Sequence, residues 1–550
     1  MILTKLVSSL EKPFLDSSFS DYPALETLSA LQHERIHFQV LYTLSEPRTH
    51  VYRLTVRCAS PVPVTLRNLD SVPVLFPTYA TVEDPQYLRR TPGLYPDCLS
   101  PLQYDSTVGA LYGQIQSVWV TLDTADLCGT YDLTVSFSDS TGAELSSQTL
   151  RLTVIGASLP AQDLLFTEWF HLDCIAKCHN VAMYSEAHWS LIEKYLTVAV
   201  RNGINTILTP VLTPPLDTEV GRERPNAQLV RISVDGGVYS FDFSRLDRWV
   251  ALCRSCGVRA YEISHLFTQW GAAHAPNVYA TVDGEEKRIF GFETDALNGE
   301  YPAFMSAFLP ALTRRLAELG ISGSCFFHVS DEPNTSCLDN YRKAKSIVSP
   351  FLKDFPIMDA LSEVEFYTSG ICPHPVTSTT SAHRFIDAGV PDLWVYYCCG
   401  QHTAVSNRFI AMPSVRNRCI APQLFKYRIK GFLQWGFNFF FNMGSRNLLN
   451  PYLDGSGGLQ VPSGDAFQVY PTPEGDPLES IRLVVFHEAL QDLSAFALCA
   501  SLYGHDRVVE ELEALLGEIR FDKCPTSAQT LLDARARINR LIAARLNAPS

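Results

Sequence analysis

The chain has 550 residues, of which 46% are hydrophobic and 19% charged, and its formal net charge is −14. A chain of this length exceeds one ordinary hydrophobic core, so two or three domains are expected. The acidic balance argues against nucleic acid as a partner, because polyanions are bound by Lys and Arg side chains that neutralise phosphates.

The N-terminus and the cysteines indicate the cellular compartment. The first residues lack the apolar segment and the small-residue cleavage site of a secretory signal. No window approaches the roughly 20 apolar residues of a membrane span. The 15 cysteines are scattered through core-like segments, which is typical of buried thiols rather than of a disulfide framework. We therefore expect a cytoplasmic protein with no membrane partner.

Residues 1–158 show the two-residue alternation of half-buried strands. The strand-like segments are RIHFQVLYTL, HVYRLTVRCA, SVWVTLD, GTYDLTVSFSD and QTLRLTVIGA. The turn-forming sequence STGAE between the last two is typical of a hairpin connection. This pattern predicts a β-sandwich domain that supports or covers the next domain.

Residues 159–505 alternate between short apolar runs and helical patterns. The eight runs are LLFTEWFH, INTILTPV, AYEISHLF, SCFFHVSDEP, FPIMDALS, GICPHPVT, LWVYYCC and GFLQWGFNFFFN. Helical segments such as AHWSLIEKYLTVAVRNG and SRLDRWVALCRSCG end in Gly, where a left-handed cap is expected. Eight strand–helix repeats predict a (β/α)8 barrel of the TIM type, whose active site lies at the carboxyl ends of the strands.

The C-terminal part of the chain is predicted to be helical. The segment SIRLVVFHEALQDLSAFALCASLYG is expected to complete the outer ring of the barrel. Residues 506–550 contain RVVEELEALLGEIR and AQTLLDARARINRLIAARLN, which have the 3.6-residue period of amphipathic helices. We expect these helices to pack on the barrel.

Two cysteine pairs have spacings that metal ligands also use. Cys253 and Cys256 lie in a segment typical of a helix end, and no second pair or His pair follows at zinc-finger spacing. Cys174 and Cys178 lie near two histidines and make a slightly better candidate. We interpret both pairs as structural and expect no metal site.

Asp331 and Glu332 are adjacent and end the fourth apolar run, FFHVSDEPN. Two carboxylates this close repel each other when both are charged, so at least one is expected to hold its proton above the usual pKa. Neighbouring side chains of a regular strand point to opposite faces, but Pro333 ends the pairing and a loop can turn both acids to the barrel mouth. An Asp–Glu pair is more often a helix cap or a solvated charge. Its position at a strand end, with no basic residue nearby, favours a catalytic role.

The ends of other predicted strands carry aromatic and polar side chains. Trp and Tyr rings stack on the C–H faces of sugars, and fixed donors and acceptors bind sugar hydroxyls. The candidates are Glu262, His265, Trp270, Trp394, Tyr396, Tyr397, Trp435, Asn438 and Asn442. One such aromatic is more often a core residue, but their clustering at strand ends favours a carbohydrate site.

Four motifs together resemble glycoside hydrolase family 123 and the related uncharacterised barrel family. They are HVSDEP, WVYYCCG, GFLQWGFNFF and SIRLVVFHEALQD. The resemblance covers about residues 20–500, with a β-sandwich leading into a barrel. The chain departs from the family pattern in reading FHEALQD, where a run of the type LREGLEDYEYL is more usual, and in lacking a secretion signal.

The resemblance implies an exo-acting, retaining β-N-acetylgalactosaminidase that needs no metal or organic cofactor. In substrate-assisted chemistry the 2-acetamido oxygen of the substrate attacks the anomeric carbon, so no enzyme carboxylate is the nucleophile. Glu332 would protonate the leaving oxygen and later deprotonate water, a task that favours a raised pKa. Asp331 would stay anionic, accept the acetamido N–H and stabilise the oxazolinium intermediate.

The resemblance also implies the substrate contacts. A tyrosine hydroxyl orients the acetamido carbonyl in such enzymes, and Tyr396 and Tyr397 are the candidates, of which strand alternation turns only one inward. Trp435 would form the floor of the sugar subsite. The implied partner is a glycan or glycoconjugate with a terminal N-acetylhexosamine, in either the galacto or the gluco configuration. Further candidates for hydroxyl contacts or for the rim are Asn438, His265 and Trp270.

Two alternatives stay open at this point. In an ordinary retaining glycosidase Glu332 is the acid, Glu262 or Asp359 is the nucleophile, and substrates without an acetamido group are cleaved. In a sugar-binding barrel that has lost turnover, N-acetylgalactosamine binds but no glycoside is hydrolysed.

Overall fold

The computed structural model describes residues 2–102, 106–219, 222–269 and 271–546. Its N-terminal part is a β-sandwich of two five-stranded sheets, ordered β1-β3-β8-β5-β6 and β2-β10-β9-β4-β7. The strands are β1 (Ile2–Ser8), β2 (Thr27–Gln32), β3 (Arg35–Leu44), β4 (Tyr52–Ala59), β5 (Val64–Val74), β6 (Gly93–Pro101), β7 (Thr107–Ala110), β8 (Gln116–Asp123), β9 (Gly129–Ser138) and β10 (Glu144–Ser158). The five strands predicted from the sequence are β3, β4, β8, β9 and β10, and the predicted sandwich is confirmed.

Alternation of side chains explains why these segments form a sandwich. In β9, Leu133, Val135 and Phe137 point into the core between the sheets, while the residues between them are exposed or half-buried. β9 pairs antiparallel with β10 across the predicted turn. Burying one face of each sheet against the other removes both apolar faces from water.

The second part is a parallel barrel of eight strands, ordered β18-β15-β12-β11-β22-β21-β20-β19. A parallel bridge between Phe327 and Ile357 joins its two edges, so the barrel is nearly closed. The remaining strands of the chain are β11 (Leu165–Glu168), β12 (Thr206–Thr209), β13 (Arg231–Asp235), β14 (Val238–Asp242), β15 (Ala260–Ile263), β16 (Val278–Val282), β17 (Glu285–Phe290), β18 (Cys325–Phe327), β19 (Met358–Ala360), β20 (His374–Ser378), β21 (Trp394–Tyr396), β22 (Gly431–Gln434), β23 (Val469–Tyr470) and β24 (Leu478–Glu479). Each of the eight predicted runs contains one barrel strand, so the predicted (β/α)8 fold is confirmed.

Helices surround the barrel. Helix α2 begins after Ser185, whose side chain accepts the N–H of His188, and α3 ends at Gly257 in the predicted left-handed conformation, with a φ of 99°. The helices are α1 (Leu172–Cys178), α2 (Glu186–Arg201), α3 (Ser244–Cys256), α4 (Glu300–Glu318), α5 (Leu338–Val348), α6 (Glu365–Thr368), α7 (Ala382–Asp387), α8 (Ser414–Arg418), α9 (Ile420–Lys426), α10 (Ile481–Tyr503), α11 (His505–Leu516) and α12 (Ala528–Leu546).

A small four-stranded sheet, ordered β14-β13-β16-β17, was not predicted. It is built from segments that follow β12 and β15. The sequence RISVDGGVYSFD carried a signal for it, because Gly236 and Gly237 have φ values of 54° and 82°, as a tight hairpin turn requires. The strand–helix repeat accounts for the neighbouring segments and does not predict this hairpin.

Helix α10 is the one described helix that is long and apolar enough to cross a membrane, which we did not expect from the sequence. Within the protein, 67% of its most apolar window is buried. Its Arg482 is also buried and forms an ion pair with Asp97 of β6 at 2.8 Å. These features are those of a core helix between the barrel and the sandwich.

A buried ion-pair network joins α10, α12 and the sandwich. Arg535 of α12 contacts Glu34 of the sandwich at 2.6 Å and Asp492 of α10 at 2.8 Å. Arg418 contacts the same Asp492 at 2.7 Å and Glu488 at 3.0 Å. Helix α12 also packs on β2 and β10. We expected the C-terminal helices to pack on the barrel, and the structure shows that α12 packs on the sandwich as well.

We predict that replacing Glu488 with Gln removes a pH-dependent part of the stability. Burial raises the pKa of Glu488 to about 7, against the opposing charge of Arg418. Between about pH 4.5 and 7 the folded state holds a proton that the unfolded chain has released, so the free energy of unfolding falls as the pH rises. The fall attributable to this group is about 3 kcal/mol at most.

Urea unfolding of the wild type and of Glu488→Gln at pH values on either side of this window measures the effect. The exposed Glu510→Gln is the matched control and should behave as the wild type. A fall in stability that is equally steep in Glu488→Gln would contradict the prediction.

Candidate active site

The acid pair follows β18 at the carboxyl end of the barrel, as predicted. The backbone N–H of Glu332 donates to the carbonyl of Ala360 in β19 at 3.0 Å. Glu332 has a φ of 44°, in the left-handed region that is uncommon for residues other than Gly. Strained backbone of this kind is found at active sites, where the surrounding structure maintains it.

Asp331 is the buried member of the pair, with 6% of its surface exposed. Its Oδ2 atom accepts a hydrogen bond from the Gln269 side chain at 2.9 Å. Burial and the charge of Glu332 raise the pKa of Asp331 well above its usual value, and the bond from Gln269 acts in the opposite direction. The family resemblance implies a raised pKa for Glu332. The structure instead raises that of Asp331, because Asp331 is the buried carboxyl.

Glu332 is exposed, and its Oε1 atom accepts a hydrogen bond from the Tyr396 hydroxyl at 2.9 Å. Burial and the charge of Glu332 raise the pKa of Tyr396 well above its usual value, so this hydroxyl remains a donor. Tyr397 points to the other face of the strand, where its hydroxyl donates to Asn417 at 3.3 Å. Strand alternation therefore brings only Tyr396 to the acid pair.

Two further carboxylates, Asp217 and Asp465, lie close to the pair and were missed in the sequence. Asp217 is half-buried, has a φ of 49°, and donates its backbone N–H to Gln269 at 2.9 Å. Burial raises the pKa of Asp217 to about 6, and the charge of Glu332 adds to the effect. Burial likewise raises the pKa of Asp465 to about 6. Both lie on loops beyond the apolar runs, so periodicity carried no signal for them.

A buried polar layer lies inside the barrel beneath the acid pair. Asp359 accepts the backbone N–H groups of Val329 at 2.9 Å and Ser330 at 3.2 Å. His328 lies 3.0 Å from Glu262 and 3.6 Å from Asp359. Burial lowers the pKa of His328, but its contacts with the two carboxylates outweigh burial and raise the pKa to about 10. This layer is therefore a histidine cation between two carboxylates.

His265 stacks on His328, with ring centroids 4.5 Å apart and ring planes 16° apart. These two histidines and Asp359 have potential ligand atoms within 4.8 Å of one another. The lone pair of an imidazole lies in its ring plane, so two stacked and nearly parallel rings do not converge on one ion. Burial raises the pKa of Cys174 and of Cys253 well above the usual value, which disfavours the thiolate that a metal requires.

The remaining candidates have different surroundings. Trp435 is half-buried, its indole N–H donates to Asp465 at 2.8 Å, and it belongs to the same apolar cluster as Tyr396. Trp394 packs over Gly431, where a Cβ atom would lie 1.9 Å from the ring, and is a core residue. Asn442 accepts the backbone N–H of Asn447. Trp270 lies outside the described residues.

The structure corrects the expectation of substrate contact for three residues. Asn438 is fully buried, and its side chain binds the backbone N–H and carbonyl of His171 at 2.8 and 3.1 Å. His265 is fully buried against His328, and Tyr397 is fully buried on the outer face of its strand. Position at a strand end suggested these residues, but each side chain is enclosed by the protein.

One family model and several solved structures are similar to this chain. A family model described as the catalytic domain of glycoside hydrolase 123 matches residues 169–499. A solved family 123 glycoside hydrolase from Clostridium perfringens is similar over 100% of this chain and 98% of that chain, with a TM-score of 0.73 and 14% identity. A GH5 xyloglucanase from Bacteroides ovatus is similar over 84% of this chain and 98% of that chain, with a TM-score of 0.30 and 9% identity. A search of curated proteins gave no match.

We predict that Asp359→Asn destabilises the protein by about 3 kcal/mol, because it removes one of the two carboxylates that compensate the buried His328 cation. Both backbone N–H groups bind Oδ1, which the asparagine keeps, so the loss comes mainly from the charge and from the hydrogen bond that the Tyr341 hydroxyl donates to Oδ2. Chemical denaturation followed by tryptophan fluorescence measures the change. The nearby exposed Asp354→Asn is the control, and equal stability of the two variants would show that His328 is not held as a cation.

Proposed function

The chain belongs to glycoside hydrolase family 123, and we propose that it removes terminal β-linked N-acetylgalactosamine from glycans by retaining, substrate-assisted hydrolysis. Family membership establishes glycoside hydrolysis. The finer assignment rests on one observation, the pairing of a buried Asp331 with an exposed Glu332 at the carboxyl end of β18. Two adjacent carboxyls in different surroundings can serve as an anion and as a proton donor.

The positions of the other carboxylates support a nucleophile supplied by the substrate. Glu262 and Asp359, the alternative nucleophiles, are 1% and 0% exposed and flank His328. A nucleophile must reach the anomeric carbon, and these carboxylates lie inside the barrel. Among the described residues, neither Asp331 nor Glu332 forms an ion pair with Lys or Arg, so both are available to the substrate.

The surroundings of Glu332 support a role as general acid and base. Its side chain is exposed, so it can approach the glycosidic oxygen, and the Tyr396 hydroxyl holds one of its oxygens. In the first step Glu332 gives its proton to the leaving oxygen. In the second step it takes a proton from the water that opens the oxazolinium ion.

The hydrogen bonding of Asp331 supports a role as the anion. Gln269 occupies its Oδ2 atom, and among the described residues no hydrogen bond occupies Oδ1. An acetamido N–H at Oδ1 would add a second donor and lower the pKa of Asp331. Binding of an N-acetyl sugar would thus favour the anionic form of Asp331, which stabilisation of the oxazolinium ion requires.

Trp435 supports the sugar ring in this proposal. The Asp465 carboxylate accepts the indole N–H and also a hydrogen bond from the Gln434 side chain at 3.2 Å. Asp465 is fully buried, so it acts through the indole and fixes the orientation of the ring. A fixed indole face offers a flat apolar surface for the C–H face of the sugar.

We predict that Glu332→Gln lowers kcat on N-acetyl-β-hexosaminides with poor leaving groups by about 100- to 10,000-fold, because general acid catalysis is lost. Nitrophenyl leaving groups need less protonation and should lose less. Asp331→Asn should lower kcat on both substrate types, because neutral asparagine does not stabilise the oxazolinium cation. Steady-state assays with both substrate types measure these effects.

Wild-type assays on matched sugars supply the controls. Nitrophenyl N-acetyl-β-hexosaminides should be cleaved, plain β-hexosides should not, and an N-acetyl thiazoline mimic should inhibit. Cleavage of plain hexosides would instead indicate an enzyme nucleophile. Binding of N-acetylgalactosamine without turnover of any glycoside would indicate a sugar-binding barrel.

We also predict that Gln269→Leu moves the acid limb of the pH profile of kcat/KM to higher pH, by about one to two units. The Gln269 side chain donates to Asp331 and lowers its pKa, so removing this donor raises the pKa further. The anionic form of Asp331 then requires a higher pH. Gln423→Leu, which removes another buried amide from α9, is the control. An unmoved acid limb in Gln269→Leu would contradict the role of Asp331 as the essential anion.

A further inference from the structure

Two cysteines from distant parts of the sequence meet where α11 and α12 pack on α8 and α9. The Sγ atoms of Cys419 and Cys524 lie 3.2 Å apart. Cys419 separates α8 from α9, and Cys524 lies in the connection between α11 and α12. The sulfur atoms of a disulfide are about 2.05 Å apart, so a shift of about 1 Å would bring this pair to bonding distance.

The segment that carries Cys524 is held against α9 by hydrogen bonds. The side-chain amide of Gln423 in α9 donates to the carbonyl of Lys523 at 3.0 Å. The Ser406 hydroxyl donates to the side-chain oxygen of Gln423 at 2.9 Å and lies 3.0 Å from the Sγ atom of Cys419. Groups that are already positioned react far faster than the same groups free in solution. The two thiols are therefore prepared to react with each other.

The two thiols differ in their affinity for a proton. A hydrogen bond from Cys419, together with the charge of Arg416, lowers the pKa of Cys524, and burial acts in the opposite direction. Burial raises the pKa of Cys419 well above its usual value. The thiolate is the nucleophilic form of cysteine, so Cys524 is the nucleophile of the pair.

Arg416 supplies a positive charge that is not fully used by its other partners. Its guanidinium is fully buried and contacts Asp84 at 2.6 Å through Nη2. Its Nη1 atom has no hydrogen-bond partner among the described residues. A buried cation with a free N–H group stabilises a nearby anion, and here that anion is the Cys524 thiolate.

A cavity of about 420 Å³ gives access to the pair, because both cysteines line it. Cys524 is half-buried and Cys419 is buried, so a reagent in the cavity reaches Cys524 first. A water molecule takes up about 30 Å³ in the liquid, and a small oxidant of similar size therefore fits. The more accessible thiol is thus also the one with the lowered pKa.

We propose that Cys524 and Cys419 form a dithiol site that hydrogen peroxide oxidises to a disulfide and that small thiols reduce again. Cys524 is the attacking thiol, and Cys419 resolves the product of that attack. The disulfide joins the C-terminal segment to the barrel helices covalently. The site is independent of the proposed hydrolysis, since neither cysteine contacts the acid pair among the contacts of the described residues.

The reaction takes two steps. The Cys524 thiolate attacks one oxygen of hydrogen peroxide, the O–O bond breaks, and hydroxide leaves, which gives a sulfenic acid on Cys524. The Cys419 sulfur then attacks the Cys524 sulfur, the S–O bond breaks, and the sulfenic oxygen leaves as water with the Cys419 proton. The two sulfurs together lose two electrons, which the peroxide takes up. The products are one disulfide and, with the proton that Cys524 released, two water molecules.

Peptide mapping of the full chain tests the proposal. The reduced native protein is treated with hydrogen peroxide at neutral pH, and the remaining thiols are alkylated after denaturation. Trypsin then releases Cys419 within residues 419–426 and Cys524 within residues 524–535, and each peptide contains one cysteine. A cross-linked product of these two peptides should appear and should be lost after treatment with dithiothreitol. Its absence from oxidised native protein would overturn the proposal.

Variants separate the roles of the two cysteines. Cys524→Ser should abolish the cross-linked product and leave Cys419 reduced. In Cys419→Ala the sulfenic acid on Cys524 should persist and react with dimedone. Cys58→Ser is the matched control, because Cys58 is also half-buried, and the cross-linked product should form as in the wild type. A sulfenic acid on Cys419 in Cys524→Ser would overturn the assignment of Cys524 as the attacking thiol.

Alkylation rates in the wild type test the same assignment without any substitution. Burial raises the pKa of Cys58 to about 11, whereas that of Cys524 is lowered. Iodoacetamide at neutral pH should therefore modify Cys524 at least about tenfold faster than Cys58, as the larger fraction of thiolate requires. Equal rates for the two cysteines in the folded protein would overturn the assignment.

Discussion

Strand β19 holds the segment that carries the acid pair, and the chemistry of the site depends on this constraint. The Asp359 carboxylate accepts two backbone N–H groups just before the pair, and the carbonyl of Ala360 accepts the N–H of Glu332. With these donors fixed, the chain turns after Asp331 and Glu332 takes a left-handed backbone conformation. Two carboxyls adjacent in sequence thus occupy different surroundings, one buried and one exposed. Burial, together with the charge of Glu332, raises the pKa of Asp331.

The buried polar layer beneath the pair is held together by contacts between opposite charges. The positive charge of His328 compensates the negative charges of Glu262 and Asp359 inside the barrel. The three groups can therefore be buried together, although burying any one of these charges alone would be strongly unfavourable. Above this layer the mouth of the barrel is acidic. An acidic mouth stabilises positive charge that develops on a sugar ring, and it does so without rearrangement because the carboxylates are already in place.

The sandwich and the C-terminal helix stabilise the barrel from outside the site. Helix α10 lies between the two domains, and its Asp492 binds both Arg418 near the barrel and Arg535 of α12. Arg535 in turn binds Glu34 of the sandwich. Charges removed from water in this way are stable only when every partner is present, so the network favours one arrangement of the three parts. The barrel loops that form the site are then built on a rigid support.

The sequence by itself determined the order of the elements, because alternation and helical periodicity show which face of each segment is buried. It also located the acid pair at the end of β18. Only the tertiary structure decided which of Asp331 and Glu332 is buried, that Tyr396 rather than Tyr397 reaches the pair, and that Asp217 belongs to the site. Periodicity describes one element at a time. The meeting of loops depends on how eight strands close into a barrel, and the pKa of a carboxyl depends on the neighbours and the burial that this closure creates.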